Sequence, residues 1–153
     1  MAKSRILFLS IKDYTPAFNK PVSFVKNRKE NGGSVMSIKT AVTDYVATLE
    51  NCQVDHPFSK FPEYEVLRHT SNRKWFGLIM SIEKTKLHLP GPGTVEIIDI
   101  KIDPELLSIL KNGSGYFFAY HMNKKHWLTV LLDGTVAENQ VINLVKDSYF
   151  LTK

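Results

Sequence analysis

The sequence predicts an α+β domain built as a two-layer sandwich, a mainly antiparallel sheet with helices on one side, in the order α-β(3)-α-β(2)-α. Three observations carry that prediction. A run of apolar residues at helical spacing opens the regular part of the chain at Ile38. Five short segments of strand composition follow, four of them grouped as two hairpins. Helix-start signals stand at Ser37, Asp103 and Thr135, in front of three separate periodic segments.

Taken in order, Ile38, Ala41, Val42, Tyr45, Val46 and Leu49 recur at the spacing of one helix face, and Ser37 precedes them as N-cap. Cys52 is expected at the end of this helix. Asp55-His56-Pro57-Phe58 reads as a structured turn, with the Asp and His satisfying backbone groups and Phe58 plugging the core. Tyr64–His69 and Trp75–Ile82 read as strands joined by the polar segment Thr70–Lys74, a first hairpin. Lys84–Gly93 holds Leu-Pro-Gly-Pro-Gly and is a turn. Thr94–Ile102 is β-branched and places Glu96, Ile98, Ile100 and Ile102 on one face. Asp103 and Pro104 open a short helix that Asn112-Gly113 closes. Tyr116–His121 and Trp127–Asp133 form a second hairpin around Met122–His126. The last helix is expected from Thr135, with Glu138 completing a capping box, and buries Val141, Val145 and Tyr149.

Composition bounds the function. The 153 residues are 43% hydrophobic and 23% charged, a globular balance, and a chain of this length buries roughly 70% of its unfolded surface without help from disulfides or metals. Cys52 is the only cysteine, which excludes an intrachain disulfide framework and a cysteine-based zinc site. The apolar run Ile6–Leu9 is too short for a membrane span or a secretory signal, so a cytoplasmic bacterial-type protein is expected, monomeric or homodimeric. The net charge of +5 suggests a polyanionic partner. Residues 1–35 hold seven bases against two acids, whereas residues 36–153 hold thirteen of each, so the excess lies in the N-terminal segment. That segment lacks a sustained period and ends in the turn-rich Lys26–Ser34. Two readings of it stand: a basic extension, or leader upstream of a start at Met36, since Gly32-Gly33 can be encoded as a ribosome-binding sequence. The domain proper is expected over 36–153.

Within that neutral domain both tryptophans occupy similar settings. Arg68-His69-Thr70-Ser71-Asn72-Arg73-Lys74-Trp75 and Tyr120-His121-Met122-Asn123-Lys124-Lys125-His126-Trp127 each supply a His, an Asn, consecutive bases and a Trp opening the returning strand. Neither contains an acid. Bases at hairpin tips contact phosphates, while Asn and His reach base edges in a groove, so Arg68, Asn72, Arg73, Lys74, Asn123, Lys124, Lys125 and His126 are the candidate nucleic-acid contacts. The competing reading gives Asn and Lys a conformational role in the turns and each Trp a place in the core.

Asp55-His56-Pro57-Phe58, Lys74-Trp75-Phe76, Leu89-Pro90-Gly91, Asn123-Lys124-Lys125-His126-Trp127 and Leu132-Asp133-Gly134 together resemble the MmcQ/YjbR family of small bacterial proteins. The resemblance runs from about residue 37 to the C-terminus, and residues 1–35 have no counterpart in the family's common core. It implies a two-layer fold of the kind shared with type III secretion chaperones and a DNA-binding role through a double wing.

Catalysis is not expected. Cys52 and His56 lie four apart, but the thiol reads as a buried, inert one. His121, His126 and Asp55-His56 are the residues from which a metal site would have to be assembled, yet no helical His-Glu-x-x-His spacing exists. Leu89–Gly93 lacks the Lys-Ser/Thr of a phosphate loop. No cofactor is implied. The alternative to nucleic-acid binding is a protein- or small-ligand-binding, chaperone-like module.

Overall fold

The computed structural model describes residues 36–153; the N-terminal extension over 1–35 lies outside them. Helix α1 (Ile38–Ala47) is capped by Ser37, whose side chain accepts from the Thr40 N–H at 3.1 Å, and it buries Val42 and Val46. Strand β1 (Cys52–Asp55) follows, then β2 (Glu65–His69), β3 (Trp75–Glu83), a 3-10 turn (Lys84–Leu87) and β4 (Thr94–Lys101). Helix α2 (Pro104–Leu110) takes its cap from Asp103, which accepts from the Glu105 N–H at 2.8 Å. Strands β5 (Tyr116–Phe118) and β6 (Trp127–Leu131) and helix α3 (Glu138–Thr152) complete the chain. The expected α+β class stands: six strands form one sheet in the order β1-β2-β3-β4-β6-β5, with every neighbouring pair antiparallel.

Three details differ from the sequence expectation. Cys52 does not end α1; it opens β1, an edge strand that pairs Cys52 with His69 and Asp55 with Val66. Asp55 therefore lies in a strand, where its carboxylate meets the Arg68 side chain (Nε–Oδ2 2.7 Å) and accepts from Gln53 Nε2 at 2.7 Å rather than from the backbone. Helix α3 starts at Glu138, with Ala137 as an N-cap that makes no side-chain bond, three residues past the expected start at Thr135. Val136 is instead driven into the core, its Cγ2 packed 2.6 Å from where a Cβ on Gly115 would lie, and the Thr135 N–H donates to Asp133 Oδ1.

The helices cover one face of the sheet. Leu67, Ile79, Ile98, Ile100, Leu128 and Val130 meet Val42, Val46, Val141, Leu144 and Val145 there. The opposite face is also dry: Val66, Leu78, Met80, Ile97 and Leu131 lie under Phe58 and Tyr64 of the β1–β2 loop and under Leu87 and Leu89 of the β3–β4 connection. Phe58 thus plugs a core, on the side away from the helices.

A bulge sets the faces of β3. Leu67 stands opposite Gly77 and Arg68 opposite Trp75, so Phe76 has no partner and turns to the helix side. Gly77 is required because a Cβ there would lie 2.6 Å from Leu67 Cδ1. Ser148 of α3 closes the gap: its hydroxyl donates to the Phe76 carbonyl at 2.5 Å and accepts from the Lys101 N–H at 2.9 Å.

Candidate nucleic-acid interface

The antiparallel order puts the end of β2, the start of β3, the end of β4, the start of β6 and the end of β5 at one end of the sheet. The two acid-free tips, 70–74 and 119–126, therefore sit side by side, with β4 between the strands that leave them. Two strand spacings separate those strands, roughly 10 Å. Arg73, Lys74, Lys124, Lys125 and His126 are exposed there. One residue in each tip adopts a left-handed backbone, Arg73 and His121, both at φ 64.

Asn72 and Arg68 are not free in the way the sequence suggested. The Asn72 amide donates from Nδ2 to the Thr152 carbonyl at 2.9 Å and accepts the Lys74 N–H on Oδ1 at 2.9 Å, tying the first tip to the last turn of α3. His69, buried at the base of the same tip, shares a 2.8 Å hydrogen bond with Thr152 Oγ1, and burial holds its pKa below the ordinary value. Arg68 lies with its guanidinium 5.6 Å from the Trp75 ring centroid and beside Asp55. In the second tip Asn123 Oδ1 accepts the Lys125 N–H at 2.8 Å and its carbonyl accepts from Trp127 at 3.0 Å, so this amide braces its own loop.

The tryptophans hold the strands, as their structural reading had it. Trp127 is only 8% exposed. Trp75 is half-buried with Phe58 edge-on at 6.0 Å. Each ring faces a base on the neighbouring strand: Arg68 opposite Trp75, and Lys101 opposite Trp127 at 5.6 Å. The resemblance between the two segments thus extends to a strand-opening tryptophan paired with a cation.

One group escaped the sequence reading. Asp99, in the apolar run of β4, is fully buried, accepts from the Thr129 hydroxyl through Oδ1, and leaves Oδ2 without a partner. Thr129 Oγ1 in turn accepts the Tyr120 N–H at 2.9 Å, which roots the second tip in the sheet and ends β5 at Phe118. Burial raises the Asp99 carboxyl to about 7, against a smaller opposing effect of the Thr129 bond. The signal was present: Asp99 alternates with Val95 and Ile97 on the face opposite Ile98 and Ile100.

The remaining reactive groups are dispersed. Cys52 Sγ donates toward the Val46 and Leu49 carbonyls at 3.5 and 3.6 Å, and burial pushes its thiol up. His56 bonds the Pro62 carbonyl at 3.1 Å in the loop at the far end of the sheet, away from His121 and His126. Among the described residues no group of three His, Cys, Asp or Glu side chains is placed to share a metal ion. An open groove of about 450 Å³, lined by Lys84, Leu89, Val95, Phe117, Leu131 and Asp133, lies at the end opposite the tips.

A family model, YjbR, matches residues 47–151. The chain belongs to the YjbR family. The YjbR assignment is supported by YyaQ of Bacillus subtilis, 44% identical over 99 residues that make up 65% of this chain and 84% of that protein. A crystal structure of a Pseudomonas syringae protein superimposes with a TM-score of 0.72 at 41% identity, over 77% of this chain and all of that one. A Deinococcus radiodurans crystal structure follows with a TM-score of 0.58 and 26% identity, over 75% of this chain and 77% of that one. The family resemblance is therefore established, and the fold is the expected α+β one with a further strand, in the order α-β(4)-α-β(2)-α. Among the described residues no helix is long and apolar enough to cross a membrane.

Proposed function

We propose that this YjbR-family chain binds nucleic acid through its two basic tips, in the manner of a double wing, and performs no chemistry on it. One observation carries the reading: two acid-free basic segments, about fifty residues apart in sequence, lie at one end of the sheet with Arg73, Lys74, Lys124 and Lys125 exposed. Arg73, Lys74, Lys124 and Lys125 each neutralise about one phosphate, which gives weak and strongly salt-dependent binding. The groove at the opposite end is what a small-ligand module would use, and it takes no part here.

The test is a fluorescence-anisotropy titration at several salt concentrations, on the full chain and on one beginning at Met36. Lys124→Ala/Lys125→Ala is expected to weaken binding and flatten its salt dependence by about two phosphate contacts, with the thermal midpoint unchanged because both side chains are exposed. The reading fails if the chain beginning at Met36 gives no salt-dependent signal with either duplex or single-stranded DNA.

A further inference from the structure

Three phenylalanines among the described residues are exposed: Phe61, Phe118 and Phe150, at 47%, 57% and 43%. A single exposed ring needs no explanation. Phe61, in the β1–β2 loop, already stacks on Tyr64 with centroids 4.8 Å apart and planes 13° from parallel. The other two each flank a basic tip. Phe118 ends β5, stands opposite Leu128, and leads directly into the second tip. Phe150 lies in the last turn of α3, which Thr152 ties to Asn72 and His69 of the first tip. Its ring meets Tyr149 edge-on at 5.3 Å, and the Lys153 ammonium lies 5.4 Å from its centroid. Lys74 and Lys153 both act electrostatically on His69, which places these two bases around the same corner.

We propose that Phe118 and Phe150 are base-stacking platforms and that the nucleic acid taken at this end is single-stranded. The inference rests on the nucleic-acid reading above and names its substrate class. A duplex hides the faces of its bases, whereas a single strand offers them, and stacking on an exposed ring beside a cation recognises any base. The residues that would read a duplex groove are compromised: both ends of the Asn72 amide are engaged within the protein, and Asn123 commits its side-chain oxygen to its own turn. Of the tryptophans, the stronger stackers, Trp127 is buried and Trp75 is half-buried between Phe58 and Arg68. The acids near this end are Glu50, whose carbonyl accepts from the Tyr149 hydroxyl at 2.7 Å and whose neighbour Asn51 bonds Thr70 of the first tip, and Asp103 and Glu105, which open α2 and interrupt the helix side. The geometry therefore gives two short patches rather than one track: Phe118 with Lys124 and Lys125, and Phe150 with Arg73, Lys74 and Lys153.

The experiment compares a labelled oligo(dT) of about 12 nucleotides, within the range such sites cover, with a duplex of equal length on the full chain. Phe118→Ala and Phe150→Ala are each expected to weaken oligo(dT) binding about fivefold or more, the low end of what stacking contributes. Duplex binding should not change, and Phe118→Tyr, which keeps the ring, should bind oligo(dT) like the parent. Equal oligo(dT) affinity of both alanine variants and the parent overturns the inference, as does a duplex that binds more tightly than oligo(dT). Those outcomes leave the nucleic-acid reading standing. The absence of salt-sensitive binding to either probe, with Lys124→Ala/Lys125→Ala indistinguishable from the parent, overturns both.

Discussion

Replacing Asp99 with asparagine should tilt the dependence of stability on pH, and the direction follows from the burial of the carboxyl. In the folded chain Asp99 keeps its proton up to about pH 7, while in the unfolded chain it loses it near 3.8. Between those values the folded state binds more protons than the unfolded state, so stability falls as pH rises and levels off above about 7. Each pH unit in that window is worth roughly 1.4 kcal/mol, which makes the whole effect about 4 kcal/mol. That is a large share of the roughly 5–15 kcal/mol holding a domain together. His69 opposes it on the acid side: its pKa is lowered on folding, so below its ordinary value of 6.5 it favours the unfolded state as pH falls. The Asp99→Asn variant isolates the carboxyl from that background. Its amide would keep an acceptor for Thr129 but leave a buried donor unpaired, a cost of about 1–3 kcal/mol at every pH. The slope therefore decides, not the height. Urea unfolding followed by tryptophan fluorescence between about pH 4 and pH 8 should show the parent losing stability relative to the variant as pH rises. Parallel curves would refute the reasoning.

Two further outcomes follow from the bulge in β3. Ser148→Ala leaves the buried Phe76 carbonyl and Lys101 N–H without the hydroxyl that joins them, and should cost about 1–3 kcal/mol in chemical denaturation. Gly77→Ala places a methyl group 2.6 Å from Leu67 Cδ1 and should cost about 1–3 kcal/mol, with a lower thermal midpoint.

Much of the fold was legible because local signals and burial agree. The Ser37 and Asp103 caps, the helical spacing from Ile38 and the β-branched run from Thr94 each name an element that the structure contains. What escaped lies where local chemistry is mute. Strand β1 is four residues, all half-buried, so it shows neither alternation nor an apolar run. The helix start at Thr135 is sound as a local pattern, but Val136 is buried in the core and the helix begins past it, at Glu138. At the candidate site the exposed bases were readable as residue types, because a lysine at a tip has few other fates. The engagement of Asn72 was not: its partner, Thr152, lies 80 residues away and meets it only through the tertiary fold. Phe118 and Phe150 were hidden for the same reason, since exposure belongs to the assembled layers rather than to the strand or helix that bears them.

The two tips, alike in sequence, are unlike as mechanical parts. The Asn72 amide is a mooring line to another element, whereas the Asn123 amide is a strut within its own loop. The first tip is thus fixed to the helix layer when the domain folds. The second is rooted through Tyr120 to Thr129 at one side and through the His126 carbonyl, which accepts from Ile102 at 2.8 Å, at the other, with Lys124 and Lys125 held only by the loop between. This end of the sheet is consequently asymmetric: one tip is moored to the helix layer, and the other is held at its two roots in the sheet.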